Sequence, residues 1–394
     1  MDLFFIILYI FFGILVGIVT GLMPGIHPNM TATLFLGFLF GDPFLVSVMI
    51  ISSAVTNAFL DFIPSILLGA PDPETALSVL PGHKMMMEGR AYEAIRLTVI
   101  GGLVSLFMIL LSLPFLIIFV GPAYEIIRPN IHWVLIAIVG FMFFKDRKPW
   151  SLVVFALSGT LGYIVLNGNF LGKFALLPLL TGLFGLSTIT KSLEDKAQIP
   201  EQTNDLEKVG KGEIIKGGLV GSLSGILVGL LPGVGAAQAT FLSSEILRDK
   251  TERKFMIAMG GVNTVTAILS IMSLWLIGNP RSGVAVVVNE LLSTLTFSDV
   301  IVFIGAITLA GGVSSFLTLF LSKRFINLFR KINYRHLSFF VIVFLVAMTF
   351  MFTGFVGLFV LFLSTSIGMV CILSGIRRSY MMACLIVPTI LFFI

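Results

Sequence analysis

The chain has 394 residues, of which 57% are hydrophobic and only 11% are charged. No soluble core can absorb that much apolar surface, so the composition excludes a soluble domain and predicts an all-α polytopic membrane protein. The net charge of +5 indicates Lys and Arg retained on cytoplasmic loops, and it does not indicate nucleic acid as a partner. Cys371 and Cys384 lie in apolar runs and predict neither a disulfide framework nor a metal site.

In chain order, residues 3–22 are apolar and residues 29–40 form a segment that is short for a membrane crossing. Residues 47–69 form a full-length span, and residues 71–96 are a polar stretch. The remaining spans of the first half are predicted at 97–120, 131–144, 150–167 and 174–190. Residues 191–213 are a polar, charged linker.

One motif, Gly-x-x-x-Gly-x-x-Pro-Gly, occurs twice, from Gly17 to Gly25 and from Gly225 to Gly233. Proline blocks a continuing helix, and glycine permits the turn that must follow. A second, short helix is expected a few residues later in each copy. Each copy therefore predicts a broken helix or re-entrant hairpin with its tip inside the membrane, an arrangement typical of transporter sites.

The motif belongs to a longer internal repeat. Gly69-Ala-Pro matches Gly278-Asn-Pro, and Ser158 to Gly162 matches Ser364 to Gly368, at nearly the same offset as the two Pro-Gly copies. A constant offset over this length predicts a duplicated chain. The predicted parts are a first repeat over 1–190, the linker over 191–213 and a second repeat over 214–394.

Basic residues distinguish corresponding loops of the two halves. In the second half they occur at 248–254, 323–335 and 377–378, where the first half holds few. Because basic loops face the cytoplasm, corresponding loops are predicted on opposite sides of the membrane. This predicts two inverted-topology repeats, each a hairpin plus about five transmembrane helices, with both termini outside and the linker in the cytoplasm. The runs at 248–254 and 323–335 are interpreted as solvated topology anchors.

The hairpin tips supply the candidate substrate-binding residues. A helix that starts near the bilayer centre presents free N–H groups and its positive dipole end to an anion, while unwound carbonyls beside it can coordinate Na⁺. The candidates are Pro24, Gly25, His27, Asn29 and Thr31 in the first copy, and Pro232, Gly233, Gly235, Gln238 and Thr240 in the second. The alternative is that Gly and Pro only kink a packed helix and that Thr bonds its own backbone; the symmetric recurrence favours a site.

The segments after the hairpins supply the candidate coupling-ion residues, which are Asn57, Asp61, Asn263 and Thr264. A carboxylate deep in an apolar span is costly, so Asp61 should face a partner or a cavity. It could bind Na⁺ or carry a proton, or it could make a structural hydrogen bond, for example to Asn57. No cofactor and no metal beyond Na⁺ are predicted.

These motifs, together with the stretch from Pro81 to Ala94, resemble the large membrane subunit of the tripartite tricarboxylate transporters. The resemblance covers most of the chain in order. It implies a secondary permease for small organic anions of the carboxylate class, coupled to Na⁺ or H⁺. It also implies a small membrane subunit and an extracytoplasmic binding protein as partners. The sequence departs from the family pattern at 57–61 and 260–264, which leaves a divergent, single-component branch open as well.

Two other functions compete with this interpretation. The stretch from Leu231 to Ala237 is similar to a motif of the polyprenyl-phosphate transporters, and a lipid phosphate also suits a helix N-terminus. No basic side chain except His27 is expected at the level of the hairpins, which weighs against that alternative. An enzyme is not expected, because no plausible Ser–His, paired-Asp or His-Glu-x-x-His arrangement is present. We expect a multi-pass permease of the cell membrane, surrounded by lipid.

Overall fold

The computed structural model describes residues 2–23, 28–37, 41–68, 79–145, 148–168, 170–194, 200–203, 207–230, 243, 251–278, 280–292, 294–329 and 334–394. Within these ranges the protein is all-helical and contains no strand, which confirms the predicted fold class. Seven helices of the described ranges are long and apolar enough to cross a membrane. The protein is therefore a multi-pass membrane protein.

The helices before the linker follow the predicted spans closely. They are α1 (Leu3–Leu22), α2 (Pro28–Gly37), α3 (Pro43–Leu60), α4 (Phe62–Leu68), α5 (Val79–Met87), α6 (Ala91–Ile127), α7 (Ile131–Lys145), α8 (Pro149–Asn167), α9 (Leu176–Leu180) and α10 (Ser187–Glu194), with a π-helical turn at Thr181–Leu186 between the last two. The largest difference is α6, which begins inside the stretch expected to be polar. Glu93 lies in its first turn, where a carboxylate favours a helix N-terminus.

Six α-helices of the described ranges follow the linker. They are α11 (Lys211–Leu230), α12 (Glu252–Ile277), α13 (Gly283–Leu292), α14 (Phe297–Phe329), α15 (Tyr334–Leu373) and α16 (Ala383–Phe393). Gly354 has φ 61° and ψ −156° inside α15, a conformation that favours glycine. It divides α15 into two segments.

Glycines at four-residue spacing join α1 to α3. A Cβ placed on Gly17 would lie 2.5 Å from the Cβ of Thr56, and one on Gly21 would lie 2.8 Å from the Cβ of Leu60. Small residues let helix backbones approach closely in a membrane, where dispersion contacts replace the hydrophobic effect as the cause of association. The Gly-x-x-x-Gly part of the first motif is therefore a packing surface, and the two helices run parallel.

The second motif makes the corresponding contact between α11 and α12. A Cβ on Gly225 would lie 2.7 Å from the Cβ of Val265, and one on Gly229 would lie 2.9 Å from the Cβ of Leu269. These two helices also run parallel. Each long helix that leads to a Pro-Gly thus packs along the next full-length helix of its own half.

Helices of one half also pack on helices of the other. The helix α12 packs on α6, and two glycines make this contact possible. A Cβ on Gly101 would strike the Ile257 carbonyl, and a Cβ on Gly260 would strike the Thr98 carbonyl. A second contact between the halves is that of α3 with α14, where Ser314 donates a hydrogen bond of 2.9 Å to the hydroxyl of Thr56. We call the assembly of α1–α6 and α11–α14 the first body.

The first body places corresponding helices of the two halves in opposite directions. A Cβ on Gly102 of α6 would lie beside Phe59 of α3, and one on Gly311 would lie beside both Leu106 of α6 and Val55 of α3, so α3 runs antiparallel to α6. The helix α6 runs parallel to α12, because Glu93 pairs with Arg253 and the Cβ position of Gly102 lies beside Thr264. Hence α3 and its neighbour α1 run antiparallel to α12 and its neighbour α11. The inverted-topology repeat and its boundaries stay predictions, and these directions support them.

The other helices, α7–α10, α15 and α16, form a second body with its own apolar cluster. The halves exchange partners here too: Ser158 of α8 donates to the carbonyl of Tyr380 at 3.3 Å, and Ser364 of α15 donates to that of Pro178 at 2.9 Å. Apart from the chain junction after α6, no helix pair described here packs extensively between the bodies. Val262 of α12 is a point of contact, since it joins the second body's cluster.

The crossing of α6 and α12 generates a stability prediction. Gly101→Ala should destabilise the protein by about 1–3 kcal/mol, because the added methyl group meets the Ile257 carbonyl and forces the backbones apart. The measurement is the thermal unfolding midpoint in detergent. Gly140→Ala is the matched control, because no heavy atom lies within 4 Å of its Cβ position. Equal midpoints for the two variants would contradict the close crossing.

Candidate functional site

The candidate site is centred on Asp61, which is 3% exposed at the end of α3. The side-chain amide of Asn263, on α12, donates to both carboxylate oxygens, at 3.2 and 3.4 Å, and to the Ala58 carbonyl at 3.0 Å. Asn263 is 2% exposed. Two residues predicted for the coupling ion, one from each half, are thus in direct contact.

A helix break holds Asp61 in place. Pro64 has no N–H to donate to the Leu60 carbonyl, so α3 stops at Leu60 and α4 starts at Phe62. The Asp61 N–H still donates to the Asn57 carbonyl at 2.9 Å. The break leaves the Leu60 carbonyl without its usual partner next to a buried carboxylate, and oxygens of these two kinds coordinate cations.

The other predicted coupling-ion residues surround this pair. The amide of Asn57 donates to the hydroxyl of Thr20 at 3.2 Å, which links α3 to α1. Thr264 is 2% exposed, and its hydroxyl oxygen lies 2.8 Å from the Cβ position of Gly102. The alternative prediction is a hydrogen bond between the side chains of Asn57 and Asp61. The amide of Asn57 bonds Thr20 instead.

Asn29 lies elsewhere, at the start of α13. The side-chain oxygen of Asn29 accepts a 3.1 Å hydrogen bond from the N–H of Val284, and a Cβ placed on Gly283 would lie 2.7 Å from the Cβ of Asn29. The helix α2 therefore packs with its first turn against the first turn of α13. Thr31 donates its hydroxyl to the Pro28 carbonyl at 3.0 Å, the local bond that threonine makes in helices.

The remaining substrate-binding predictions lie outside the described residues. They are Pro24, Gly25, His27, Pro232, Gly233, Gly235, Gln238 and Thr240. The described ends on either side are informative for the first hairpin. There α1 ends beside Asn57 and Leu60, and α2 begins beside Gly283.

Sequence reasoning missed Arg281, which follows α12. Its guanidinium carbon lies 4.5 Å from the ring centroid of Tyr124, in the geometry of a cation–π contact. The expectation that only His27 is basic at the level of the hairpins stays untested, because the hairpin tips lie outside the described residues; Arg281 is a further basic residue to consider, since Val284, three residues after it, bonds Asn29. One signal was available: Arg281 is the only Lys or Arg between Lys254 and Lys323.

A charged network joins the starts of α6, α11 and α12. Arg253 pairs with Glu93 at 3.4 Å, with Glu213 at 3.8 Å and with Glu207. Arg253 is 14% exposed, so the interpretation of its run as a solvated anchor is wrong at this residue: the carboxylates compensate the charge that burial would otherwise penalise. The hydrogen bond from Arg90 to Glu93 raises the pKa of Arg90.

The linker is attached to the same end of the first body. The side-chain amide of Gln202, 5% exposed, donates to the Met86 carbonyl at 2.9 Å and accepts from the Ala91 N–H at 3.0 Å. The Thr203 N–H donates to the Gly89 carbonyl at 2.8 Å. Part of the polar linker is thus packed structure.

A helix interrupted beside a buried carboxylate inside a multi-pass bundle is typical of secondary transporters. The chain matches the tripartite tricarboxylate transporter TctA family over residues 7–383. It is also similar to an uncharacterized protein of Methanocaldococcus jannaschii, at 32% identity over 363 residues, which are 89% of this chain and 88% of that protein. No solved structure matches the chain. The chain therefore belongs to the TctA family, and the predicted resemblance is confirmed.

The contact between Asp61 and Asn263 generates a second prediction. Asn263→Ala should destabilise the protein by about 1–3 kcal/mol, because it removes amide donors from a buried carboxylate and a buried carbonyl. In a double-mutant cycle with Asp61→Ala, the two effects should be less than additive. Asn130→Ala is the matched control, since its amide makes only an exposed local bond to Ile126. Full additivity would contradict a direct interaction.

Proposed function

We propose that this protein is a secondary active transporter of small carboxylates, coupled to Na⁺ or H⁺. The observation that carries the proposal is the buried contact of Asp61 with Asn263 at the break after α3. A carboxylate and a carbonyl that has lost its helical donor can take up a cation or a proton at a helix break, and the cost of burying Asp61 favours such a role. Membership of a transporter family supports a permease over an enzyme.

Alternating access is the proposed mechanism. The first body contains the candidate site around Asp61, and within the described residues it packs on the second body through few contacts besides the chain junction. Movement between packed units is expected where the interface is small. We therefore expect the first body to move as a unit against the second, carrying the site between the two sides of the membrane.

The predicted inverted repeat supports a movement whose two end states, open to opposite sides of the membrane, are related by symmetry. In the proposed orientation both termini lie outside and the linker lies in the cytoplasm, together with the Arg253 network and its basic neighbours. Proteins of this family are transporter components that work with other subunits and a substrate. A small membrane subunit and an extracytoplasmic binding protein are the proposed partners.

Transport of a lipid phosphate is the second candidate function. One structural observation makes it stronger than the sequence alone indicated. Arg281 supplies a cation near Asn29, and guanidinium binds phosphate and carboxylate with the same forked geometry. Uptake of labelled citrate and succinate into proteoliposomes, compared with exchange of a polyprenyl phosphate across the same membrane, separates the two. Exchange of the lipid without uptake of either acid would overturn the carboxylate proposal.

The role of Asp61 is tested by Asp61→Asn. This change keeps the side-chain size but removes the charge, so a Na⁺ or H⁺ gradient should no longer accelerate citrate or succinate uptake. Gradient-independent exchange of the acid should persist. Asp299→Asn is the matched control, because Asp299 is only partly buried and caps α14 through a surface hydrogen bond with Thr296. Unchanged coupling in Asp61→Asn would return Asp61 to a structural role.

Movement of the first body as a unit is tested by crosslinking Lys84 to Glu252. These residues form an ion pair between the first and second halves but within the first body. In a variant with Lys84→Cys and Glu252→Cys, and with the buried Cys371 and Cys384 replaced by Ser, a short bis-methanethiosulfonate should join the pair and leave uptake intact. Loss of uptake, restored by reduction, would show instead that the two halves move against each other.

A further inference from the structure

The guanidinium group of Arg281 has donor atoms without hydrogen-bond partners among the described residues. Its Nε and Nη2 atoms are buried and make no hydrogen bond in the part of the chain that the structure describes. A buried donor without a partner is unfavourable by about 1–3 kcal/mol, and more when the group is charged. Tyr124, 8% exposed, offsets part of this through the cation–π contact, which is worth about 0.5–2 kcal/mol. The remaining penalty indicates that Arg281 is kept for a ligand.

The loop around Arg281 is rigidly held. Gly278 ends α12 with φ 66°, a left-handed cap that reverses the chain. Ser282 then caps α13, because its hydroxyl accepts from the Ala285 N–H at 3.2 Å and its carbonyl accepts from the Val286 N–H at 2.9 Å. With Asn29 bound to Val284, three N–H groups of the first turn of α13 are engaged by protein. Among the buried side-chain donors of this loop that the structure describes, those without a partner are Nε and Nη2 of Arg281.

The helix ends beside this loop also favour an anion. The first turns of α2 and α13 meet beside this loop, and both helices direct the positive ends of their dipoles toward it. A guanidinium pairs with a planar carboxylate through two parallel N–H···O bonds, and shielding from water strengthens that attraction.

We propose that Arg281 binds a carboxylate group of the transported anion, with Tyr124 supporting its guanidinium and Asn29 fixing the adjacent first turn of α13. This assignment rests on the proposed transport function, and it names the group that recognises the substrate. Asp61 and Asn263 remain the site of the coupling ion. The substrate and the ion are thus bound by different elements of the first body, next to the two described ends of the first Pro-Gly hairpin.

The test compares Arg281→Gln with Arg324→Gln in proteoliposome uptake of labelled citrate and succinate. Arg324 is the matched control because its guanidinium also lies over a ring, that of Phe320 at 5.4 Å, but is exposed. The KM of Arg281→Gln should rise by about 30-fold or more, as expected when one partner of a shielded charge pair is removed. Arg324→Gln should change it by less than about twofold. An unchanged KM in Arg281→Gln overturns the assignment.

Arg281→Lys is the second variant, in case Arg281→Gln does not accumulate in the membrane. It keeps the charge but loses the two-pronged geometry, so its KM should rise by about tenfold while the gradient dependence of uptake is retained. A KM equal to that of the natural protein would overturn the assignment. Loss of gradient dependence together with an unchanged KM would place Arg281 with the coupling ion and would also overturn it.

A binding measurement separates this inference from the proposed function. If the natural protein takes up neither acid, the transport proposal fails, and the thermal unfolding midpoint in detergent then tests Arg281 alone. Citrate should raise the midpoint of the natural protein and of Arg324→Gln, but not that of Arg281→Gln. An equal rise in all three overturns the assignment. So does a rise with a polyprenyl phosphate and none with citrate, which would assign Arg281 to lipid phosphate.

Discussion

The structure depends on how a carboxylate can be buried inside a membrane. Asp61 is buried among apolar helices, so a polar group from another helix must compensate its burial, and Asn263 of the other half meets it. That contact requires α3 and α12 to lie side by side. Glycines make this geometry possible, because α1 packs on α3, α11 on α12 and α6 on α12 at distances that side chains would prevent. The helix break after α3 then exposes carbonyl oxygen at the same place.

The division into two bodies would allow this site to move relative to the rest of the protein. Each body is built from elements of both halves, and in the second body the hydrogen bonds of Ser158 and Ser364 join the halves. The charged network around Arg253 and the packed linker residue Gln202 tie the halves together at one end of the first body. A unit that is connected internally in this way, and only weakly to its neighbour, is suited to move as a whole.

Much of the fold could be predicted from the sequence, and the reason is local. Apolar segments of sufficient length predict membrane helices, and α1 and α8 begin and end within one or two residues of the predicted spans. The importance of Asp61 and Asn263 was also predictable, since polar side chains in such spans are costly. The start of α6 and the burial of Arg253 were not predicted correctly, because charged residues at a helix end can be paired across the fold. The purpose of the Gly-x-x-x-Gly spacing was assigned to the hairpin, whereas the structure uses it for helix packing.

The sequence by itself determined the class of the protein, the positions of its membrane helices and the residues whose burial needs compensation. These follow from composition, hydropathy and single-residue costs, which are properties of short stretches of chain. Only the tertiary structure decided which polar groups meet: that Asn263 bonds Asp61, that Asn57 bonds Thr20, and that the N–H of Val284 bonds Asn29 in the first turn of α2. These contacts join residues 202, 37 and 255 positions apart, and they depend on helix crossings that no local pattern specifies.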